Sequence, residues 1–217
     1  MHGYLSSSAS FYKQLDFFSK DFNVYAPDLT GFGKNKFMPY PYSLDDYVKE
    51  LKEFVQNRGI VNPSVIAHSF GGRVAIKLAS EQPNFFNKMV LVGSAGLKPK
   101  TTPKKIIKKC TFNILKVFIK KEKLTAFYSK DYNALNAVMK ESFKLIVSEH
   151  LEEVLDAITT KTLIVYGKND KETPPYMAKR FNKGIKNSKI LALNGGHFCF
   201  IDSPHKFNME VKEFLLS

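Results

Sequence analysis

Long apolar runs are missing from this chain of 217 residues. None reaches the length that crosses a bilayer, so no membrane-spanning helix is predicted. Arginine is nearly absent: Arg58, Arg73 and Arg180 are the only three among 33 basic residues. A specific nucleic-acid reader leans on arginine forks and stacking aromatics in a recognisable module, and none is present here, whatever the net charge of +13 suggests. The lysine excess reads as compositional bias. It leaves only non-specific attraction to polyanions or anionic membranes at low salt. Cysteine occurs twice, as Cys110 and Cys199, in neither a metal nor a redox spacing. A reducing, cytoplasmic setting is the simplest expectation, with a disulfide between the two left open. No His/Cys/Asp spacing suggests zinc, and no Gly-Lys-Ser/Thr loop suggests bound phosphate. No metal and no cofactor are therefore expected.

What remains is an ordinary globule, 44% hydrophobic and 24% charged, long enough for one domain and an inserted subdomain. Short apolar runs read as strands at Phe22–Ala26, Val65–Ala67, Lys88–Val92, Thr162–Tyr166 and Lys189–Leu193. Helical patterns lie between them. Ser43 offers an N-cap, Asp45 and Asp46 favour the helix dipole, and Leu44, Tyr47, Val48, Leu51, Phe54 and Val55 recur at helical spacing. A last helix is predicted over Pro204–Leu216. Alternating strands and helices predict an α/β fold with a mostly parallel sheet.

The alternation fails from residue 98 to 159. Three helical stripes replace it: one from Lys104 to Ile119, one through Leu135, Val138, Met139, Phe143 and Ile146, and one from Leu151 to Ile158. The predicted organisation is a core of residues 1–97 and 160–217 with a helical insertion between. Ten lysines fall between Lys98 and Lys123. They read as a solvated face, with weak attraction to anionic surfaces as the rival reading.

Chemistry concentrates at strand ends. Val65-Ile66-Ala67-His68-Ser69-Phe70-Gly71-Gly72 is an apolar run ending in small-x-Ser-x-Gly, followed by a helical stretch. Such a turn holds a serine hydroxyl out in the open and demands small neighbours. A nucleophilic serine needs a base, and the base an orienting acid. Asp170 follows one strand in Gly167-Lys168-Asn169-Asp170, and His197 follows another in Asn194-Gly195-Gly196-His197-Phe198. The chain order is Ser, Asp, His. His68 is expected to pack or to form a pocket wall, and Asp202, a rival acid, to cap the last helix. His150 and His205 are read as structural.

These stretches, with His2-Gly3-Tyr4 and Asp28-Leu29-Thr30-Gly31-Phe32-Gly33, resemble the α/β-hydrolase superfamily, in particular its capped bacterial serine hydrolases. The resemblance spans almost the whole chain except its middle third. It implies Ser69 as nucleophile, His197 as base and then acid, and Asp170 as orienting acid. The backbone N–H groups of Tyr4 and Phe70 would hold the oxyanion, and residues 98–159 would be the cap. The implied activity is cleavage of an ester or related acyl bond in a small molecule. Carbon–carbon hydrolysis on the same triad and non-catalytic ligand binding are the alternatives. One departure stands out: in the family several strands precede the His-Gly loop, whereas here Met1 lies directly before His2. A late-called start or a fragment is favoured over re-pairing of the remaining strands.

Overall fold

The structure, a computed structural model, describes residues 1–100 and 135–217. The predicted helical stripe from Lys104 to Ile119, Cys110 and most of the lysine run lie outside the described residues. A 3-10 turn (Ser8–Phe11) leads into α1 (Tyr12–Phe18), and α2 spans Leu44–Asn57. Then come β1 (Val65–His68), α3 (Phe70–Glu81) and β2 (Lys88–Val92). Beyond the undescribed stretch lie α4 (Ala137–Ser148) and a 3-10 segment (Glu152–Ala157). The chain closes with β3 (Lys161–Gly167), α5 (Pro175–Gly184), β4 (Ser188–Leu193), the single turn α6 (Cys199–Asp202) and α7 (Pro204–Leu216).

The four strands form one parallel sheet in the order β1-β2-β3-β4. Ala67 pairs with Leu91, Leu91 with Ile164, and Ile164 with Ile190. Successive side chains point to opposite faces, so each strand feeds two apolar layers. Ala67, Met89, Leu91 and Ile164 pack with residues of α2, α3 and α5. Val90, Val92, Leu163 and Val165 pack on the other face with residues of α1 and α7. The shared register also aligns the carboxyl ends: His68 lies opposite Val92, Val92 opposite Val165, and Gly167 opposite Leu193. The loops that follow all four strands therefore emerge at one edge of the sheet.

Local chemistry sets the helix ends. Ser43 caps α2 through a reciprocal box: its hydroxyl accepts from Asp46 N, and the Asp46 carboxylate accepts from Ser43 N at 2.7 Å. Such a cap stabilises a helix by about 1 kcal/mol. The buried stripe of α2 is Leu44, Tyr47, Val48, Leu51 and Val55. Asn136 caps α4, its side chain accepting from Met139 N at 2.8 Å. Buried Arg73 donates to the Ile146 and Glu149 carbonyls at 3.0 and 2.6 Å, binding the C-terminal end of α4 to α3.

Two expectations are corrected. Within the predicted stripe Leu151–Ile158, residues Glu152–Ala157 form a short 3-10 segment rather than a regular helix. Phe22–Ala26 forms no strand, and Val24 and Tyr25 are exposed. The reason is lateral. A cavity of about 560 Å³, lined by Phe22 to Pro27 on one side and by Ser64, Val65 and Ile66 on the other, separates this segment from the edge of β1. A strand needs a hydrogen-bonding neighbour, and among the described residues none stands there. Among them, Met1 reaches that edge. Its amine donates to Ile66 O at 2.5 Å, and its carbonyl accepts from His68 N at 2.9 Å, which is one parallel bridge opposite Ala67.

Candidate active site

β1 hands over to α3 within one residue. Ser69, between them, has φ 50° and ψ −109°, a conformation that side-chain-bearing residues rarely adopt. The strain is held from both sides: Ser69 N donates to Val92 O at 3.0 Å, and Ser69 O accepts from Gly72 N and Ala95 N at 3.1 Å each. The glycine requirement is steric. A Cβ on Gly71 would meet the Met1 and His2 carbonyl oxygens at 2.9 and 2.8 Å. Phe70 opens α3, so its N–H belongs to the positive end of that helix. Tyr4 stands beside it, their rings 5.7 Å apart edge to face, and the Tyr4 hydroxyl donates to Met139 O at 3.0 Å.

Asp170 lies just beyond β3 and is buried. Its Oδ1 accepts from Glu172 N and Thr173 N at 2.8 and 2.9 Å. Its Oδ2 stands 2.9 Å from His197 Nδ1 and 2.8 Å from Thr173 Oγ1. Burial pushes the carboxyl pKa up, but these hydrogen bonds outweigh burial and hold it below its ordinary value. The carboxylate is therefore ionised at neutral pH and fixes the His197 ring with its proton on Nδ1. His197 follows β4 on the Gly195-Gly196 turn, which Asp202 secures by accepting from Gly196 N at 2.9 Å. Asp202 thus holds the histidine loop and ends α6, whereas Ser203 occupies the N-cap of α7.

The structure brings Asp170 and His197 into direct contact and sets Ser69 in the same loop cluster. Gly93 follows the residue that accepts the Ser69 N–H, and a Cβ on Gly93 would lie 3.3 Å from both Asp170 Oδ2 and His197 Nδ1. No hydrogen bond joins the Ser69 hydroxyl to His197 among the described residues. His197 Nε2 instead stands 3.4 Å from the exposed carboxylate of Glu172. Two neighbours of the pair escaped the sequence reading, and a third was read only as packing or a pocket wall. Glu172 and Thr173 follow Asp170 in a tight turn, and an Asp-x-x-Thr spacing is the one signal that could have exposed Thr173. The third is His68, which is buried and whose Nε2 contacts the His197 carbonyl at 3.0 Å. Among the described residues no three His, Cys, Asp or Glu side chains cluster to hold a metal. Likewise none of their helices is long and apolar enough to cross a membrane. Cys199 is a buried free thiol, pushed up to about 12 by burial, and so is no nucleophile.

A family model described as alpha/beta hydrolase fold matches residues 1–110, half of the chain, including the elbow and the Tyr4 loop. The chain belongs to the α/β-hydrolase fold family. Among α/β-hydrolase relatives, the uncharacterized hydrolase YugF of Bacillus subtilis is 24% identical over 99% of this chain and 88% of its own length. The AB hydrolase superfamily protein YisY of the same organism is 25% identical, over 99% and 89%. Solved hydrolase structures superpose along nearly the whole chain. The esterase EaEST from Exiguobacterium antarcticum has a TM-score of 0.78 at 21% identity, covering 100% of this chain and 90% of its own. A meta-cleavage product hydrolase from Pseudomonas fluorescens IP01 has a TM-score of 0.73 at 22% identity, covering 97% and 87%.

Proposed function

We propose that this chain is a serine hydrolase that cleaves an ester or related acyl bond of a small molecule through an acyl-enzyme. The observation that carries the reading is the 2.9 Å contact between His197 Nδ1 and Asp170 Oδ2, beside a serine at φ 50° on the strand-to-helix turn. With Nδ1–H committed to Asp170, Nε2 carries the lone pair that a base requires. Ser69 Oγ attacks the carbonyl carbon and its proton passes to Nε2. The negative oxygen is held by the Tyr4 and Phe70 N–H groups, each worth about 3 kcal/mol at the transition state. Collapse expels the alcohol, which takes the proton from Nε2. Water then repeats the sequence on the acyl-enzyme and frees the acid. The Ser69–His197 hydrogen bond forms with substrate in place, as such links are long in free enzymes and tighten in the complex.

The insertion of residues 98–159 is proposed as a cap over the core of 1–97 and 160–217. The described part supports this: Phe143 of α4 packs its ring 5.1 Å from that of Tyr4, and Ser142 Oγ donates to Tyr42 O at 2.7 Å. A second reading, cleavage of a carbon–carbon bond beside a ketone, uses the same triad and draws on the likeness to the meta-cleavage product hydrolase. The deciding test is turnover of short p-nitrophenyl esters by the wild type and by His197→Ala. Activity lost in the variant supports the ester reading. Folded wild type that turns over a diketone and no ester supports the second. Unchanged ester turnover in His197→Ala removes both.

A further inference from the structure

His68 is the last residue of β1, and its side chain lies on the sheet face opposite the Ala67 layer. It is among the least exposed polar residues of the chain, at 1%. Its ring packs against Phe198 at 4.8 Å, Phe200 at 5.0 Å and the His197 ring at 4.7 Å, in a box where an aliphatic residue would bury more cheaply. Burial, and then the proximity of His197, depress its pKa to about 3, so the ring is neutral at working pH. A neutral imidazole has one N–H to give. The acceptor within reach is the His197 carbonyl, 3.0 Å from Nε2, so the proton sits on Nε2. Among the described residues Nδ1 has no hydrogen-bond partner, and a buried group left so costs about 1–3 kcal/mol.

That cost is tolerated at a junction. Nε2 grips the main chain of the base. The Nδ1 edge faces the oxyanion loop, since a Cβ on Gly3 would stand 2.9 Å from Nδ1 and 3.3 Å from Ser69 Cβ. The backbone continues directly into Ser69. One ring therefore touches the three segments whose relative placement decides whether the reaction proceeds.

We propose that His68 is a positioning residue for acyl transfer, its neutral Nε2–H donor holding the His197 loop in register with Ser69 and the Gly3 loop. This rests on the triad reading above. The groups facing it are His197 and, beyond that ring, Asp170.

The test pairs His68→Leu, which fills the box without a donor, with His68→Gln, whose amide can reach the same carbonyl. On a p-nitrophenyl ester, His68→Leu should lower kcat by about tenfold to a hundredfold while KM stays within about twofold, as expected for a misplaced reacting group. His68→Gln should recover kcat to within about threefold of wild type. Wild-type kcat in His68→Leu, or equal impairment in both variants, overturns the proposal. Should His68→Leu not fold, nitrogen NMR of the wild-type imidazoles decides. A neutral Nε2–H tautomer for His68 from pH 5 to 8 is required, and a proton on Nδ1 overturns it. Ser69→Ala run alongside separates the outcomes: turnover close to wild type there refutes the triad, whereas a large loss there with unimpaired His68→Leu refutes only the role of His68.

Discussion

Lowering the pH from 8 to 5 should destabilise this protein well before its carboxylates titrate, and the structure names a group responsible. His68 has a folded pKa of about 3, below its unfolded value, so over that interval the unfolded chain binds the extra proton. Where the unfolded state holds more protons, stability rises with pH. The contribution is therefore complete above the unfolded pKa and is lost as pH falls towards the folded one. For His68 the loss at pH 5 is about 2 kcal/mol, taking an unfolded pKa of about 6.5. That is a large share of the stability of a small domain, about 5–15 kcal/mol. Asp170 acts in a lower window: its depressed carboxyl contributes above its unfolded pKa, and that contribution disappears only as pH falls through its folded value. Urea midpoints at pH 8, 6.5 and 5 for wild type and His68→Gln separate the contributions. The variant should lose about 2 kcal/mol less than wild type on acidification, because its amide does not titrate. Parallel losses in the two proteins would show that His68 is not buried neutral and would refute the reasoning.

Asp170→Asn should cut kcat by about 10⁴ with little change in KM, because the amide favours the wrong tautomer of His197. Steady-state kinetics on a p-nitrophenyl ester read this directly, and a loss under tenfold would contradict the role. Glu172→Ala should change the rate of covalent labelling by a fluorophosphonate by no more than about fivefold, since an exposed carboxylate beside a histidine is worth about 0–1 kcal/mol. The change should shrink in high salt, and a large loss of labelling would instead place Glu172 in the machinery. Ser69→Gly should be more stable than Ser69→Ala by about 1 kcal/mol, or a thermal midpoint higher by about 2–4 °C, because only glycine relaxes at φ 50°. Equal midpoints would mean the turn is not strained.

The turns that build the candidate site were legible because their signals are local. Small neighbours around Ser69 and glycines before Asp170 and His197 mark strand ends where a sharp turn is needed. The box at Ser43 and Asp46 marks a helix start in the same way. Phe22–Ala26 misled because apolar patterning states what a segment is able to do, whereas a strand exists only beside a partner, and here a cavity takes that place. Thr173 and Glu172 were missed because polar residues after a strand look like any turn. His68 was legible as a wall but not as a clamp: its partner is a main-chain carbonyl 129 residues away, and no side-chain pattern encodes that contact.

The most direct test of the central claim is to locate the adduct. After reaction with a fluorophosphonate, peptide mass spectrometry should find a single modification, on Ser69, and His197→Ala should form it far more slowly. Modification at another residue, or undiminished labelling of Ser69→Ala, would contradict the assignment.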